Sequence, residues 1–174
     1  MSTNMSSDLI VIGGGAAGML AAATAAEQGA HVLLLEPNDR LGKKLYITGK
    51  GRCNVTNNCP PEDFFKNVPR NPRFLYSSIY AFPPSSMMEL LERLGCPLKT
   101  ERGARVFPQS DRSASVIDAL RGYLRAGGVQ IKHCRAEEIL TGNGAVRGVK
   151  TDAGDIAARA VILAAGGCSY PLTG

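Results

Sequence analysis

Residues 8–36 read DLIVIGGGAAGMLAAATAAEQGAHVLLLE, and this stretch decides the fold. Residues 8–12 form a short, mostly apolar run that is typical of a buried parallel strand. The run from about Ala16 to Gln28 is rich in alanine and leucine, which favour helix, and Gly29 ends it. Residues 31–35 then predict a second strand. The order of strand, glycine turn, helix and strand is that of a dinucleotide-binding βαβ unit.

Three glycines after the first strand follow the G-x-G-x-x-G spacing of such units. Gly13 permits the tight turn, Gly15 lets the backbone approach a pyrophosphate, and Gly18 lets the helix pack closely on the strand. The helix start at Ala16-Ala17 offers N–H groups and a positive dipole end to the phosphates. Glu36 follows Gly15 by 21 residues, which suits a carboxylate bonded to a ribose hydroxyl. These residues alone leave NAD, NADP and FAD open as ligands, although Glu36 disfavours a 2′-phosphate.

Three other interpretations of this stretch fail. Residues 9–26 are uncharged over 18 positions, but three consecutive glycines interrupt them and seven of the 18 are alanine, so they make a poor membrane span. Asp8 precedes the run and no Lys or Arg does, which argues against a signal peptide. A P-loop requires Lys and then Ser or Thr after Gly18, where Met19-Leu20 stand. We therefore expect no membrane partner.

The composition indicates a globular protein. The chain has 174 residues, enough for one domain with a sizeable core, and 44% of them are hydrophobic and 20% charged. The net charge of +5 fits a phosphate-rich ligand, more weakly a nucleic acid, and equally a solvated basic surface. The five cysteines are scattered without a C-x-x-C pair, so we expect free thiols in a cytoplasmic protein and no metal site.

A basic loop, residues 40–56, reads RLGKKLYITGKGRCNVT and follows the second strand directly. Glycines among cations suit a loop that wraps around an anion, and its position beside the βαβ unit favours this over a mobile, solvated loop. The thiolate of Cys53 stands beside Lys50 and Arg52 and could have a lowered pKa. A redox pair would also need a resolving cysteine, for which Cys59 is the nearest candidate, so we assign no catalytic residue.

The rest of the chain predicts an α/β fold with an excursion. A βαβ core spans 8–56, a helical and hairpin insertion spans 57–110, and residues 111–170 complete the sheet. In the insertion we expect a helix at 73–80, a second helix capped by Ser85, and a hairpin around Arg102-Gly103. After it we expect a helix from Ser113 to about Arg125, a third strand at 129–134, an antiparallel meander at 138–159 and a buried fourth strand at 160–167. The predicted class is a Rossmann-like parallel sheet with a small antiparallel β-meander and a helical insertion.

Three motifs make the chain resemble a known bacterial family. They read GKKLYITGKGRCNVTN at 42–57, RVFPQS at 105–110 and AAGGCSYP at 164–171. Together they resemble the N-terminal part of the YhiN-like or BaiN-like flavoproteins, over essentially the whole chain. The resemblance implies a glutathione-reductase-like domain with FAD as its cofactor.

The resemblance also implies a set of cofactor contacts. The glycine turn would hold the FAD pyrophosphate, and Glu36 would bond the adenosine ribose. The basic loop would pass along the pyrophosphate, ribityl chain and flavin with Lys44, Thr48, Gly51, Arg52 and Asn54. A backbone group near Ala136 would meet the adenine, and Gly166-Gly167 would approach the cofactor from the sheet edge.

The same resemblance implies a larger enzyme. Relatives are roughly twice this length, enough for two or three domains, so we expect residues 1–174 to be an incomplete FAD-binding domain that ends at a truncation. The parent would be an FAD-dependent oxidoreductase that passes hydride from NADH or NADPH to an unsaturated small molecule. One alternative is an RNA-directed flavoprotein that forms dihydrouridine in ribosomal RNA. Another is a non-catalytic fragment whose exposed sheet edge favours self-association.

Overall fold

The computed structural model describes residues 7–167, which fall into two compact units. The first unit holds the described residues up to Leu45 and from Leu120 onward, and the second holds Tyr46–Ala119. The strands are β1 (Ser7–Ile12), β2 (Val32–Leu35), β3 (Thr56–Asn57), β4 (Leu98–Glu101), β5 (Arg105–Pro108), β6 (Gln130–Lys132), β7 (Ala136–Gly142), β8 (Ala145–Thr151) and β9 (Gly154–Leu163). The helices are α1 (Ala16–Glu27), α2 (Pro61–Lys66), α3 (Tyr76–Ala81), α4 (Pro84–Arg93) and α5 (Ser113–Ala126), with 3₁₀ turns at Thr48–Gly51 and Pro72–Leu75.

The first unit is built on a six-stranded sheet in the order β6-β2-β1-β9-β8-β7. Strands β6, β2, β1 and β9 run parallel, and β8 and β7 continue the sheet in antiparallel fashion. Ile12 pairs with Leu35 on one side and Leu163 on the other, while Leu35 pairs with Lys132. The carboxyl ends of the four parallel strands therefore meet at one sheet edge, where α/β proteins bind ligands. The predicted α/β Rossmann-like class is confirmed.

One continuous strand replaces two predicted segments. Residues 138–159 were expected to form the meander and residues 160–167 a separate buried strand. The last strand of the meander and that separate strand are instead one element, β9, which is continuous over ten residues. Its first half pairs antiparallel with β8 and its second half parallel with β1. No turn residue interrupts the chain between the halves, so the strand simply changes partner. The expected burial was also wrong, because Ile162 is 39% and Leu163 67% exposed.

The core of the first unit explains why the βαβ stretch folds as predicted. Ile10, Leu33 and Leu35 form one buried cluster with Val149 and Ala158, which joins β1 and β2 to the antiparallel strands. Helix α1 packs against β1 and β2 through its buried alanines and Met19. Small side chains are used because they let helix and sheet approach closely. The uncharged residues 9–26 thus supply most of β1, the glycine turn and most of helix α1.

The part of helix α5 that belongs to the first unit, from Leu120 onward, supports α1. The Tyr123 hydroxyl donates to the Glu27 carboxylate. A Cβ placed on Gly127 would come within 2.9 Å of the Ala26 Cβ, so a glycine is needed for this approach. The helix predicted from Ser113 is confirmed, and the third strand is the shorter β6.

The second unit contains a three-stranded antiparallel sheet, β3-β5-β4, and helices α2 to α4. The predicted hairpin around Arg102-Gly103 joins β4 to β5. The helix expected at 73–80 is a 3₁₀ turn followed by the short α3. Helix α4 begins at Pro84 with Pro83 as its N-cap residue, so the expected cap at Ser85 was wrong. Proline suits the first helical position because an N–H group there would have no acceptor inside the helix, so its absence costs nothing. Within residues 7–167, no helix combines the length and apolar character needed to cross a membrane.

Candidate functional site

The glycine turn after β1 is closed on two sides by backbone atoms. Gly13 has φ +104°, and a Cβ there would lie 2.5 Å from the Ala164 carbonyl oxygen. A Cβ on Gly18 would lie 1.8 Å from the Gly13 carbonyl oxygen. Both distances are far inside van der Waals contact, so these positions exclude every side chain. They fold the first turn of α1 directly onto the end of β1, as the spacing predicted.

The third side of the turn is open. Gly15 is the N-cap residue of α1, and a Cβ there would meet nothing within 4 Å among the described residues. The first helical hydrogen bond runs from the Met19 N–H to the Gly15 carbonyl at 2.9 Å. The N–H groups of Ala16, Ala17 and Gly18 therefore have no acceptor inside the helix. Open space, the positive end of the helix dipole and N–H groups without an acceptor inside the helix together make an anion-binding position.

Glu36 lies at the end of β2 and is buried, with 7% of the residue exposed. Its Oε2 accepts from the Gly14 N–H at 2.8 Å. Its Oε1 accepts from the backbone N–H of Asn38 at 2.9 Å and from the Asn38 side-chain amide at 2.6 Å. A carboxylate has about four acceptor positions, so one position on Oε2 stays available within the described structure.

Two further segments of the first unit reach this edge of the sheet. The Gly42 N–H donates to the Gly14 carbonyl at 2.8 Å, so the start of the basic loop lies against the turn. The Lys44 ammonium lies 3.5 Å from the Gly167 carbonyl oxygen. The Ala164 N–H donates to the Ile12 carbonyl at 2.8 Å, which carries the glycine pair past the end of β1. The predicted residues that the first unit gathers at this edge are Gly13, Gly15, Ala16, Ala17, Gly18, Glu36, Lys44, Gly166 and Gly167.

The other five predicted contacts are not among these residues. Ala136 opens β7, where it pairs with Thr151 and packs on the core of the first unit. Thr48, Gly51, Arg52 and Asn54 belong to the second unit. Their assignment to a cofactor stays a prediction.

Arg52 is engaged in an ion-pair network of the second unit. Its guanidinium donates to Glu101 and, at 2.8 Å, to Asp111, and it lies 4.1 Å from the centre of the Phe107 ring. Lys99 binds Asp111 at 2.6 Å. The hydrogen bond from Arg52 holds the pKa of Glu101 below its usual range, and the one from Lys99 does the same for the pKa of Asp111. Arg52 thus anchors the second-unit part of the basic loop, residues 46–56, to the β4–β5 hairpin.

Cys53 does not have the environment expected of a reactive thiolate. Its side chain is buried, with 2% of the residue exposed, and this burial raises the pKa of the thiol. The hydrogen bond with Thr48 opposes the shift without overcoming it. Sequence proximity to Lys50 and Arg52 suggested a lowered pKa, and that expectation was wrong because desolvation outweighs nearby charge here.

Sequence reasoning missed two residues that bind the Glu36 carboxylate and two that bind the neighbouring Asn38. Gly14 donates to it directly, and Asn38 binds it twice. Lys43 donates to the Asn38 side-chain oxygen at 3.0 Å, and the His133 Nδ1 lies 2.6 Å from the Asn38 carbonyl oxygen. In the sequence, the run of three glycines and the turn-forming Pro37-Asn38 are the patterns that could have pointed to Gly14 and Asn38. Among residues 7–167, no group of three His, Cys, Asp or Glu side chains could hold a metal ion.

The parallel sheet, the glycine turn and the carboxylate at the end of β2 define a dinucleotide-binding Rossmann domain. The chain belongs to the HI0933-like family, whose Rossmann-domain model matches residues 7–174. The resemblance to YhiN-like or BaiN-like proteins is thereby confirmed.

Two curated relatives support the same placement. The chain is 36% identical over 161 residues to a 3-dehydro-bile acid delta(4,6)-reductase of Clostridium scindens, with 90% of this chain and 38% of the relative covered. It is 28% identical over 166 residues to the ribosomal RNA dihydrouridine synthase of Escherichia coli, with 94% and 40% covered. The chain therefore spans about two fifths of the length of these relatives.

Solved structures share the fold at low sequence identity. A 3-ketosteroid-delta4-(5alpha)-dehydrogenase of Rhodococcus jostii matches with a TM-score of 0.66 and 19% identity, over 91% of this chain and 45% of that one. A flavocytochrome c3 fumarate reductase matches with a TM-score of 0.66 and 24% identity, over 91% and 33%. Family and relatives together support an FAD-binding Rossmann domain of the flavoprotein oxidoreductases.

Proposed function

We propose that this chain holds the ADP half of FAD for an FAD-dependent oxidoreductase. In this proposal the N–H groups of Ala16, Ala17 and Gly18 bind the pyrophosphate, and Glu36 binds the adenosine ribose. Lys44 and the Gly166-Gly167 segment would border the same phosphates from the neighbouring strand end.

One observation carries the proposal: the only open side of the glycine turn, among the described residues, is the side that a pyrophosphate needs. A Cβ on Gly13 or Gly18 would meet backbone atoms within 2.5 Å, whereas Gly15 faces space. The adjacent Glu36 keeps one acceptor position for a hydroxyl, and its negative charge disfavours a 2′-phosphate. The residues present therefore fit an adenosine diphosphate group.

The flavin, when bound, supplies the hydride chemistry, and the protein supplies binding, orientation and electrostatics. The described residues act on the ADP end: the helix dipole offsets the phosphate charge, and Glu36 fixes the ribose. We propose Thr48, Gly51, Arg52, Asn54 and Ala136 as further cofactor contacts. We further propose NADH or NADPH as the electron donor. We propose an unsaturated small molecule as the acceptor, by similarity to the bile acid delta(4,6)-reductase. Cytoplasmic location follows from the cysteine pattern as part of the same proposal.

Nucleotide binding is tested by titrating the protein with FAD and with ADP in a calorimeter. FAD should bind, and ADP should compete with it because both use the same turn. A protein that binds neither nucleotide would overturn the proposal. The donor is identified by adding NADH or NADPH without oxygen to protein that carries flavin, since the donor bleaches the flavin absorption.

A ribosomal RNA substrate is a second candidate, favoured by the 28% identical relative and the net charge of +5. Binding driven by phosphate contacts weakens steeply as salt rises. The affinity for a ribosomal RNA fragment should therefore fall between low and high salt, and a flat salt response would contradict this candidate. A non-catalytic, self-associating fragment is the remaining alternative, and light scattering that shows a monomer would count against it.

A further inference from the structure

Asn38 is the most connected polar residue at the ribose end of the site. All four of its hydrogen-bonding groups have protein partners. Its backbone and side-chain N–H groups both donate to Glu36 Oε1, its Oδ1 accepts from Lys43, and its carbonyl accepts from His133. The carbonyl can only accept, so the His133 ring carries its proton on Nδ1 in this arrangement. Asn38 thus joins three segments: the end of β2, the basic loop and the chain after β6.

This arrangement divides the two oxygens of the Glu36 carboxylate. Asn38 uses both acceptor positions of Oε1, at 2.9 and 2.6 Å. The Gly14 N–H uses one position of Oε2, at 2.8 Å. We propose that Asn38 is a positioning residue, which locks Glu36 so that Oε2 alone is offered to a ribose hydroxyl. The inference rests on the proposed nucleotide function and concerns how the site selects a ribose.

A purely local role for Asn38 predicts something different. An asparagine two residues after Glu36 could simply close a turn, and its loss would then weaken every ligand equally or none. The bonds to Lys43 and His133 instead hold the Asn38 side chain and main chain from outside the turn. Such support restricts the carboxylate to one orientation before the ligand arrives, which is how a preorganised site gains affinity.

The test separates these roles with two nucleotides that differ by one hydroxyl. We would measure the affinities of ADP and 2′-deoxy-ADP for the wild-type chain, Asn38→Ala and Asn67→Ala. Asn67 is the matched control, since the one hydrogen bond described for its side chain is exposed and runs to the Asp63 carbonyl on α2. A lost hydrogen bond to a charged group changes an equilibrium by about tenfold or more. We expect Asn38→Ala to weaken ADP by about tenfold and to bring the preference for ADP over 2′-deoxy-ADP close to one.

Two results would overturn the inference. In the first, Asn38→Ala weakens both nucleotides by the same factor, which is the signature of a structural role. In the second, it changes the affinity of neither nucleotide. Asn67→Ala should match the wild type in both affinities.

A measurement without ligand keeps the inference separate from the proposed function. If Asn38 holds Glu36, then Asn38→Ala should speed hydrogen exchange at the Gly14 amide, because that amide loses a fixed acceptor. Asn67→Ala should leave this rate unchanged. Should the wild type bind neither nucleotide, the proposed function fails, and the Gly14 rate still decides whether Asn38 positions the carboxylate. An unchanged rate in Asn38→Ala would refute the positioning role.

Discussion

Gly15→Ala should weaken nucleotide binding markedly while leaving the fold intact. Gly15 has φ −76° and ψ −172°, which an alanine adopts without strain, and its added methyl would meet no described atom within 4 Å. Alanine is the poorer N-cap residue but restricts the unfolded chain, so the two effects, each about 1 kcal/mol or less, largely cancel. Stability should therefore change by less than about 1 kcal/mol.

The same methyl would occupy the space that a pyrophosphate needs. Hydrogen bonds to charged groups contribute about 1.5–3 kcal/mol each. Losing one such bond between the helix start and the phosphate predicts ADP binding about tenfold to a hundredfold weaker. Calorimetric titration with ADP and FAD, alongside thermal unfolding, measures both quantities on one preparation.

Two glycines serve as controls for this prediction. Gly122→Ala places a methyl in open space within α5, away from the turn, so it should keep ADP affinity and raise stability by about 0.5–1 kcal/mol. Gly18→Ala drives its methyl to 1.8 Å from the Gly13 carbonyl, so it should lose roughly 1–3 kcal/mol or more of stability. The reasoning is refuted if folded Gly15→Ala binds ADP like the wild type, or if it unfolds as readily as Gly18→Ala.

Three further predictions follow from the described contacts. Glu36→Gln turns one carboxylate oxygen into an N–H donor that faces an existing N–H group, so the free energy of unfolding should fall by about 1–3 kcal/mol and ADP should bind more weakly. Thermal unfolding and calorimetric titration measure these two quantities, and unchanged values for both would contradict the assigned hydrogen bonds. The pKa of Glu101 is depressed chiefly by its hydrogen bond from Arg52, so this carboxylate contributes fully to stability above its ordinary pKa of 4.5 and loses that contribution as the pH falls lower. The wild type should therefore lose stability on acidification more steeply than Arg52→Ala, and parallel pH profiles would argue against the network. Cys53 should resist alkylation in the folded protein because its side chain is buried and the pKa of its thiol is raised, whereas the half-buried Cys59 should react faster. Peptide mapping that finds equal alkylation rates at the two cysteines would contradict this order.

The sequence predicted the parts of the site that depend on local chemistry. The G-x-G-x-x-G spacing alone predicted the tight turn at Gly13 and the close packing of helix on strand at Gly18, since both require a residue without a side chain. The Glu36 carboxylate was found because it follows the second strand at a fixed distance along the chain. Arg52 shows the limit of such reasoning, because its carboxylate partners lie 49 and 59 residues away and leave no local pattern.

By itself, the sequence determined the βαβ unit, the order of the glycines and the carboxylate, and the family, because each depends on short-range patterns of residue type. Tertiary structure alone decided three matters. It made residues 154–163 one strand, it gave Arg52 its partners, and it brought Lys43 and His133 to Asn38, which binds the Glu36 carboxylate. The physical reason is that pairing, burial and hydrogen bonding across a sheet edge depend on which segments meet, and segments far apart in the chain leave no local trace of their partner.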